Sequence, residues 1–332
     1  MASSPGYAGI LVTVSLALAV GSACASAVRS GAPSRIAVSP LAAGHDETAF
    51  MCPMHPDITS RAPGLCPKCS MALVLGTPFD MRDYQVEFRT EPPLVNAGKP
   101  ARLIFKVLHP GTGAAVTNFE VVHDKPYHLF VISMDMEFFE HIHPEQSSDG
   151  SWWIDVTLPK AGQYMVLSDF APQGAASQFI ARPLITAGYD GDLLADSARL
   201  VPDVSASKTV GALTATIRYD PVPMAAAVHS HLTFTLTHAG TGAPVTDLQA
   251  YLGAFGHMLI ISEDMTQYVH SHPLENLPAG GDPEMARGGP SVTFEGLMPR
   301  PGRYRAWTQF RYQDTIHTFP FTFEVTGIGA SE

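Results

Sequence analysis

The sequence is poor in cysteine and in charge, and each shortage excludes something. Four cysteines occur in 332 residues, and three of them lie between positions 52 and 69. The long C-terminal part therefore has no disulfide framework and no cysteine with which to build a blue-copper electron-transfer site. Lys and Arg number 20 against 31 Asp and Glu, a formal charge of −11, which argues against nucleic acid as a partner. Only 15% of residues are charged while 45% are hydrophobic, enough apolar material for packed cores of two or three domains.

What is plentiful points to strands. Twenty-eight prolines and 28 glycines punctuate segments rich in Val, Thr, Phe and Tyr, the pattern of an all-β chain. From Tyr84 the sequence matches itself from Leu213 at a constant offset of 129, without gaps as far as Pro144 and Pro273, so it contains an internal duplication. Arg89 corresponds to Arg218, Pro92 to Pro221, His109 to His238, and Gly111-Thr112-Gly113 to Gly240-Thr241-Gly242. The second copy then carries an eleven-residue insertion rich in Gly, Pro and acidic residues, and the register resumes with Gly162 against Gly302. Leu103, Phe105 and Val107 alternate with more polar neighbours, as do Leu232, Phe234 and Leu236 with threonines, so one face of each strand is core and the other wetter. The expected fold is a small cysteine module, residues 49–78, followed by two tandem immunoglobulin-like β-sandwiches at 79–190 and 205–327.

The N-terminus is expected to direct export. An apolar run from Gly9 to Val20 leads into small residues that include Cys24, Ala25 and Ala27, the form of a signal peptide over residues 1–27. The run is short for a membrane span. Residues 28–48, rich in Ala, Ser, Gly and Pro, read as a flexible linker. The compartment is then periplasmic or extracellular, with membrane attachment only if this segment is retained or Cys24 is lipidated.

Residues 51–75 are too few for a hydrophobic core of their own and call for a metal or a disulfide. Cys66 and Cys69 sit two residues apart around a turn, and Cys52 brings a third thiolate from a neighbouring turn. His55, Met54 or Met71 can supply a fourth ligand. Thiolate with thioether suits Cu(I) and similar soft ions, whereas three Cys with one His suits tetrahedral zinc. A Cys66–Cys69 disulfide is the alternative.

These residues resemble the heavy-metal-binding domain of bacterial copper and silver efflux systems. Cys52-Pro53-Met54-His55-Pro56, Pro63-Gly64 and Cys66-Pro67 with Cys69, Met71 and Leu73 carry the resemblance, and Ser70 stands where that family usually has Gly. The resemblance implies a copper or silver ion as the bound species and an efflux component as a partner, while the ligand set leaves zinc open. Ser70 implies some distortion of the second turn but no loss of ligands.

Histidine is abundant, with 14 residues in clusters. His128, His141 and His143 of the first copy recur as His257, His270 and His272. Residues two apart on a strand share a face, and a hairpin turning near Asp135 sets His128 opposite His141 or His143. Three imidazoles per copy can then converge on one ion, with water or Met136 in an open position. His109 and His238 are weaker candidates, while His229 and His231 have no histidine counterparts and are expected at the surface, and His317 is likewise unsupported. The repeated pattern also resembles a loosely characterised group of secreted bacterial sandwich proteins that accompany metal-handling domains.

The expected function is binding of a heavy metal outside the cytoplasm, for buffering, resistance or delivery to efflux, and not catalysis. A metalloenzyme built on a three-His site is the first alternative, although Glu140 and Glu145 beside the first cluster become Val269 and Leu274 in the second. A scaffold or adhesion protein with purely structural metal is the other.

Overall fold

The computed structural model describes residues 50–52, 54–55, 58–75, 80–192, 196–278, 282–327 and 329. The expected signal peptide, the linker and Cys24 lie outside the described residues. Among the described residues no helix is long and apolar enough to cross a membrane.

The cysteine module is a three-stranded antiparallel sheet of β1 (Phe50–Met51), β2 (Thr59–Ser60) and β3 (Val74–Leu75), in the order β2-β1-β3. Its interior amounts to Cys52, Cys66, Met71 and Leu73, with Phe50, Met54, Ile58, Cys69 and Val122 packed around them. So small a cluster cannot offset the chain entropy of about two dozen ordered residues at ~1.5 kcal/mol each.

The first sandwich comprises β4 (Gln85–Glu91), β5 (Pro100–Leu108), β6 (Tyr127–Ser133), β7 (Phe139–Ile142), β8 (Glu145–Gln146), β9 (Ser151–Thr157), β10 (Gln163–Phe170) and β11 (Gln178–Ile185). They form two antiparallel sheets, β4-β5-β9-β8 and β11-β10-β6-β7. Leu103, Phe105 and Val107 from one sheet pack against Tyr127, Leu129 and Val131 from the other.

The second sandwich comprises β12 (Ser207–Val210), β13 (Leu213–Asp220), β14 (His229–His238), β15 (Leu248–Gln249), β16 (His257–Ser262), β17 (Tyr268–Ser271), β18 (Arg287–Gly288), β19 (Ser291–Leu297), β20 (Gly302–Tyr312) and β21 (Thr315–Val325). One sheet runs β12-β13-β14-β19, and the other is built on β17-β16-β20 with β21 paired to β20. Among its described residues, the inserted stretch of this copy includes a 3-10 turn at Pro283–Met285.

Alternation holds on β5, where Arg102 and Lys106 stay partly exposed between buried neighbours, but not on β6 or β16. Every residue of β6 and β16 is buried. Their unbroken runs, Tyr127-His-Leu-Phe-Val-Ile and His257-Met-Leu-Ile-Ile, are those of strands covered on both faces. One face enters the strand's own sandwich. On the other, Phe130, Ile132, Met136 and Leu167 of the first repeat join Leu259, Ile261, Met265 and Trp307 of the second in one apolar cluster.

The two repeats thus dock through equivalent sheets. Phe139 stacks on Trp307 with ring centroids 4.9 Å apart and planes 6° from parallel, and Arg305 donates to the carbonyl of Met136 at 2.9 Å. Met136, a sequence candidate for a metal position, is 1% exposed within this apolar cluster. Its place in the fold is packing between repeats.

Removing the Trp307 side chain leaves a void facing Phe139. Trp307→Ala is expected to cost about 3–5 kcal/mol, read as a lowered urea midpoint by far-ultraviolet circular dichroism. A loss below about 1 kcal/mol, the scale of exposed positions, would show that the interface does not hold the repeats together.

Candidate metal centres

In the module, the ladder β2-β1-β3 brings the two cysteine-bearing loops together. The second loop closes on itself through Ser70 N–H to Cys66 O at 2.7 Å and Cys66 N–H to Met71 O at 2.8 Å. Ser70 takes the left-handed conformation there, φ +58°, at a cost of about 1–2 kcal/mol relative to glycine. Its hydroxyl donates to the side-chain oxygen of Asn276 in the second sandwich.

Cys52, His55, Cys66 and Cys69 converge so that their ligand atoms all lie within 4.8 Å of one another. Cys52 Sγ is 3.5 Å from Cys69 Sγ and 3.6 Å from His55 Nδ1, which is also 3.6 Å from Cys66 Sγ. The three cysteines are free, with no Cys66–Cys69 bond. The hydrogen bond from Cys69 pulls the Cys52 thiol down to about 5 despite its burial, and the same bond together with burial pushes Cys69 up. The pair is thus biased toward sharing one proton, and binding a cation would displace it. His55 completes a three-sulfur, one-nitrogen set suited to a four-coordinate ion. Met71 is buried in the apolar cluster and Met54 packs against it.

The histidines of the sandwiches lie where the repeats meet. In the first hairpin Phe130 is opposite His141 and Leu129 opposite Ile142, a register that sets His128 beside His143 just past the strand end. Their ring centroids are 4.9 Å apart. His128, His141 and His143 present ligand atoms within 4.8 Å of one another.

The hydrogen bonds of this group leave it short of a cation. His128 Nε2–H donates to Val122 O at 2.8 Å, leaving Nδ1 as a lone pair. Gln309 is oriented by its amide nitrogen, which donates to Thr318 Oγ1, so its Oε1 accepts from His141 Nδ1–H at 3.0 Å. Nε2 of His141 is then also a lone pair, and it faces Nδ1 of His128 at 3.1 Å. Two acceptors in contact repel unless something positive lies between or beside them. Nε2 of His143 adds a third nitrogen, buried with no hydrogen-bond partner. Protonation does not readily supply the positive charge: burial lowers His128 to about 4 and His143 to about 3, and His141 falls well below its ordinary value for the same reason.

The second group differs from the sequence expectation. His257 and His272 are joined not by His270 but by His123 of the first repeat. His270 turns its Nδ1 to Asp169 Oδ2 at 2.5 Å. Nδ1–H donates to this carboxylate, a contact of the kind that commonly orients a metal-ligating histidine. Asp169 and Gln309 stand at equivalent positions of the two repeats, and each holds the histidine of the other repeat. Nε2 of His123, His270 and His272 and both nitrogens of His257 are buried without partners. Burial holds His123, His257 and His272 well below the usual imidazole range.

The two groups adjoin. Ring centroids are 5.8 Å apart for His141 and His257 and 5.5 Å for His128 and His270. Seven imidazoles meet at this seam, and burial favours the neutral form of His123, His128, His141, His143, His257 and His272, donors that fit soft or borderline divalent and monovalent metal ions.

His123 was not legible as a ligand because its equivalent is Leu252. The available signal was conformational: His123-Asp124 and Leu252-Gly253 all have positive φ, so both copies make the same tight turn, and only in the first does it carry an imidazole. His109 and His238 do not join either group. His109 Nδ1 accepts from Gly111 and Thr112 N–H in its own turn, and His238 meets Tyr312. His229 and His231 are exposed, and His317 is buried against Val210 O at 3.0 Å.

The crossed contacts carry a stability cost when broken. Asp169→Leu leaves His270 Nδ1 buried without an acceptor and is expected to destabilise the chain by about 1–3 kcal/mol, with Gln309→Leu acting likewise on His141. Chemical denaturation of the metal-free protein checks both; neutral effects would show that these histidines are not held from the opposite repeat.

Comparison with known proteins follows the same division. Residues 49–74 match the family described as heavy metal binding domain. No curated protein matches the chain. Among solved structures, the Escherichia coli adhesin FdeC is 17% identical, with 77% of this chain and 68% of that one covered and a TM-score of 0.24. The Yersinia pseudotuberculosis adhesin InvE is 10% identical, covering 75% and 65%, with a TM-score of 0.21. A Salmonella alpha-2-macroglobulin is 11% identical, covering 75% of this chain but 15% of that one, with a TM-score of 0.23. These likenesses are too weak to carry an argument about partner or activity. Residues 80–182 and 208–327, together about two thirds of the chain, match one family model, and the chain belongs to that family, described as Domain of unknown function (DUF8832).

Proposed function

We propose that this protein binds heavy-metal ions, copper foremost, at a thiolate site in the module and at imidazole sites between the sandwiches, and that it buffers or delivers them outside the cytoplasm. The observation that carries the reading is the set of buried imidazole nitrogens without hydrogen-bond partners. Leaving a buried polar atom unpaired costs about 1–3 kcal/mol, and a metal ion removes that cost for several nitrogens at once. Three free cysteines with His55 supply a second ligand set of softer chemistry. That softness favours Cu(I) or Ag(I), and zinc is the competing ion. The apolar run at Gly9–Val20 supports an exported location.

Binding is favoured over catalysis because the carboxylate beside the first imidazole group, Glu140, is replaced by Val269 in the second, so no acid or base recurs with the ligands. Delivery to an efflux component follows from the resemblance of the module. One observation favours a second reading, oxidative catalysis at a pair of ions: the two imidazole groups are close enough for their ions to be neighbours. Oxygen consumption by the copper-loaded protein with a phenol as reductant separates the two, since a storage protein consumes none beyond one stoichiometric oxidation.

The test is metal content and X-ray absorption of the purified chain reconstituted with Cu(I) or Zn(II) under reducing conditions, beside Cys66→Ser/Cys69→Ser, His128→Ala/His143→Ala and His257→Ala/His272→Ala. The cysteine variant is expected to lose the sulfur-coordinated share alone, and each histidine variant part of the nitrogen-coordinated share. Wild type that stays metal-free would overturn the proposal. Chelation is expected to leave the circular dichroism of the sandwiches intact; unfolding on chelation would instead make the metal structural.

A further inference from the structure

The module does not stand apart from the imidazole centres. A cavity of about 530 Å³ is lined on one side by Cys69 and Met71 of the module and on the other by His123 and His272, with the acidic residues Asp124 and Glu275 also in its lining. The turn that carries His123 holds the two sides together. Val122 packs its side chain into the module's apolar cluster, its carbonyl accepts from His128 Nε2–H at 2.8 Å, and the next residue contributes its imidazole to the second group. From the other repeat, Asn276 accepts the Ser70 hydroxyl.

We propose that this cavity is a passage through which a metal ion moves between the imidazole group of His123, His257 and His272 and the thiolate site of Cys52, His55, Cys66 and Cys69 without release to bulk water. The inference rests on both sets being metal sites. Four features of the cavity suit it to that use: residues of both sites in its lining, Met71 as a soft thioether contact, two acidic residues that favour a cation, and room for a partly hydrated ion. For Cu(I) the downhill direction is from imidazole to thiolate, because sulfur is the softer donor. The step is a ligand exchange with no change of oxidation state. Copper–nitrogen bonds break, copper–sulfur bonds form, the thiol protons displaced by the ion pass to water, and the imidazoles are left neutral.

The experiment is anaerobic stopped-flow mixing of the full chain with one equivalent of Cu(I), following thiolate-to-copper absorption in the near ultraviolet. Ions that land first on the imidazoles should appear as a slower second phase, first order and independent of protein concentration. That phase should vanish in His257→Ala/His272→Ala and survive a sulfonated bathocuproine trap added with the copper. Transfer in trans, from copper-loaded Cys66→Ser/Cys69→Ser to metal-free His257→Ala/His272→Ala, should be roughly 10²–10³ slower at micromolar protein, because neighbouring sites experience millimolar effective concentrations. Ala72→Trp and Val121→Trp place bulk on exposed positions of the cavity wall, and each should slow the second phase while leaving both sites able to bind. A second phase abolished by the trap, or unchanged in both tryptophan variants, would overturn the passage even where equilibrium binding is normal. Absence of copper from either site at equilibrium would instead remove the binding reading on which the passage rests.

Discussion

The structure depends on the face-to-face packing of two equivalent sheets. β6 and β16 each bury one face in their own sandwich and the other against the opposite repeat, and the outer faces carry Phe130 and Ile132, Leu259 and Ile261. Burial on that scale, at about 25 cal/mol per Å² of apolar surface, makes it possible to take imidazoles out of water at the same seam. A histidine on a solvated face costs nothing and does nothing. Once His128, His141, His257 and His270 lie under the interface, each nitrogen must be accounted for.

The accounting comes out uneven, and the unevenness is chemically directed. The far nitrogens of His128, His141 and His270 are satisfied by Val122 O, Gln309 and Asp169, while the Nε2 of His270 and both nitrogens of His257 are left without partners. Hydrogen bonds to the far side of an imidazole fix its tautomer and its orientation, which is how a protein prepares a ligand before an ion arrives. Because Asp169 and Gln309 each reach across to the other repeat, the orientation of the ligands and the docking of the repeats are one constraint. Neither sandwich alone holds the full arrangement.

Duplication explains the symmetry and also its departures. Equivalent positions form the interface, but Asp169 faces Gln309 in the alignment, and His123 faces Leu252. The charged partner holds His270, and the added imidazole joins His257 and His272. The second group is therefore a joint product of both copies, and it is the one that borders the cysteine module.

Much of this was legible in the residues themselves. The offset of 129, the strand punctuation and the cysteine spacing identify two sandwiches and a module of the heavy-metal-binding type, because local periodicity and turn chemistry act over a few residues. Local pairing also narrows the hairpin partner of His128 to His141 or His143, and the strand register selects His143. Tertiary structure alone decided that β6 and β16 are covered on both faces, that His123 enters the second group while His270 turns to Asp169, that Met136 packs between the repeats, and that Cys69 and His272 share a cavity. Those outcomes depend on which sheet of one repeat meets which sheet of the other, a long-range choice made by summed apolar packing to which no single segment of sequence holds the key.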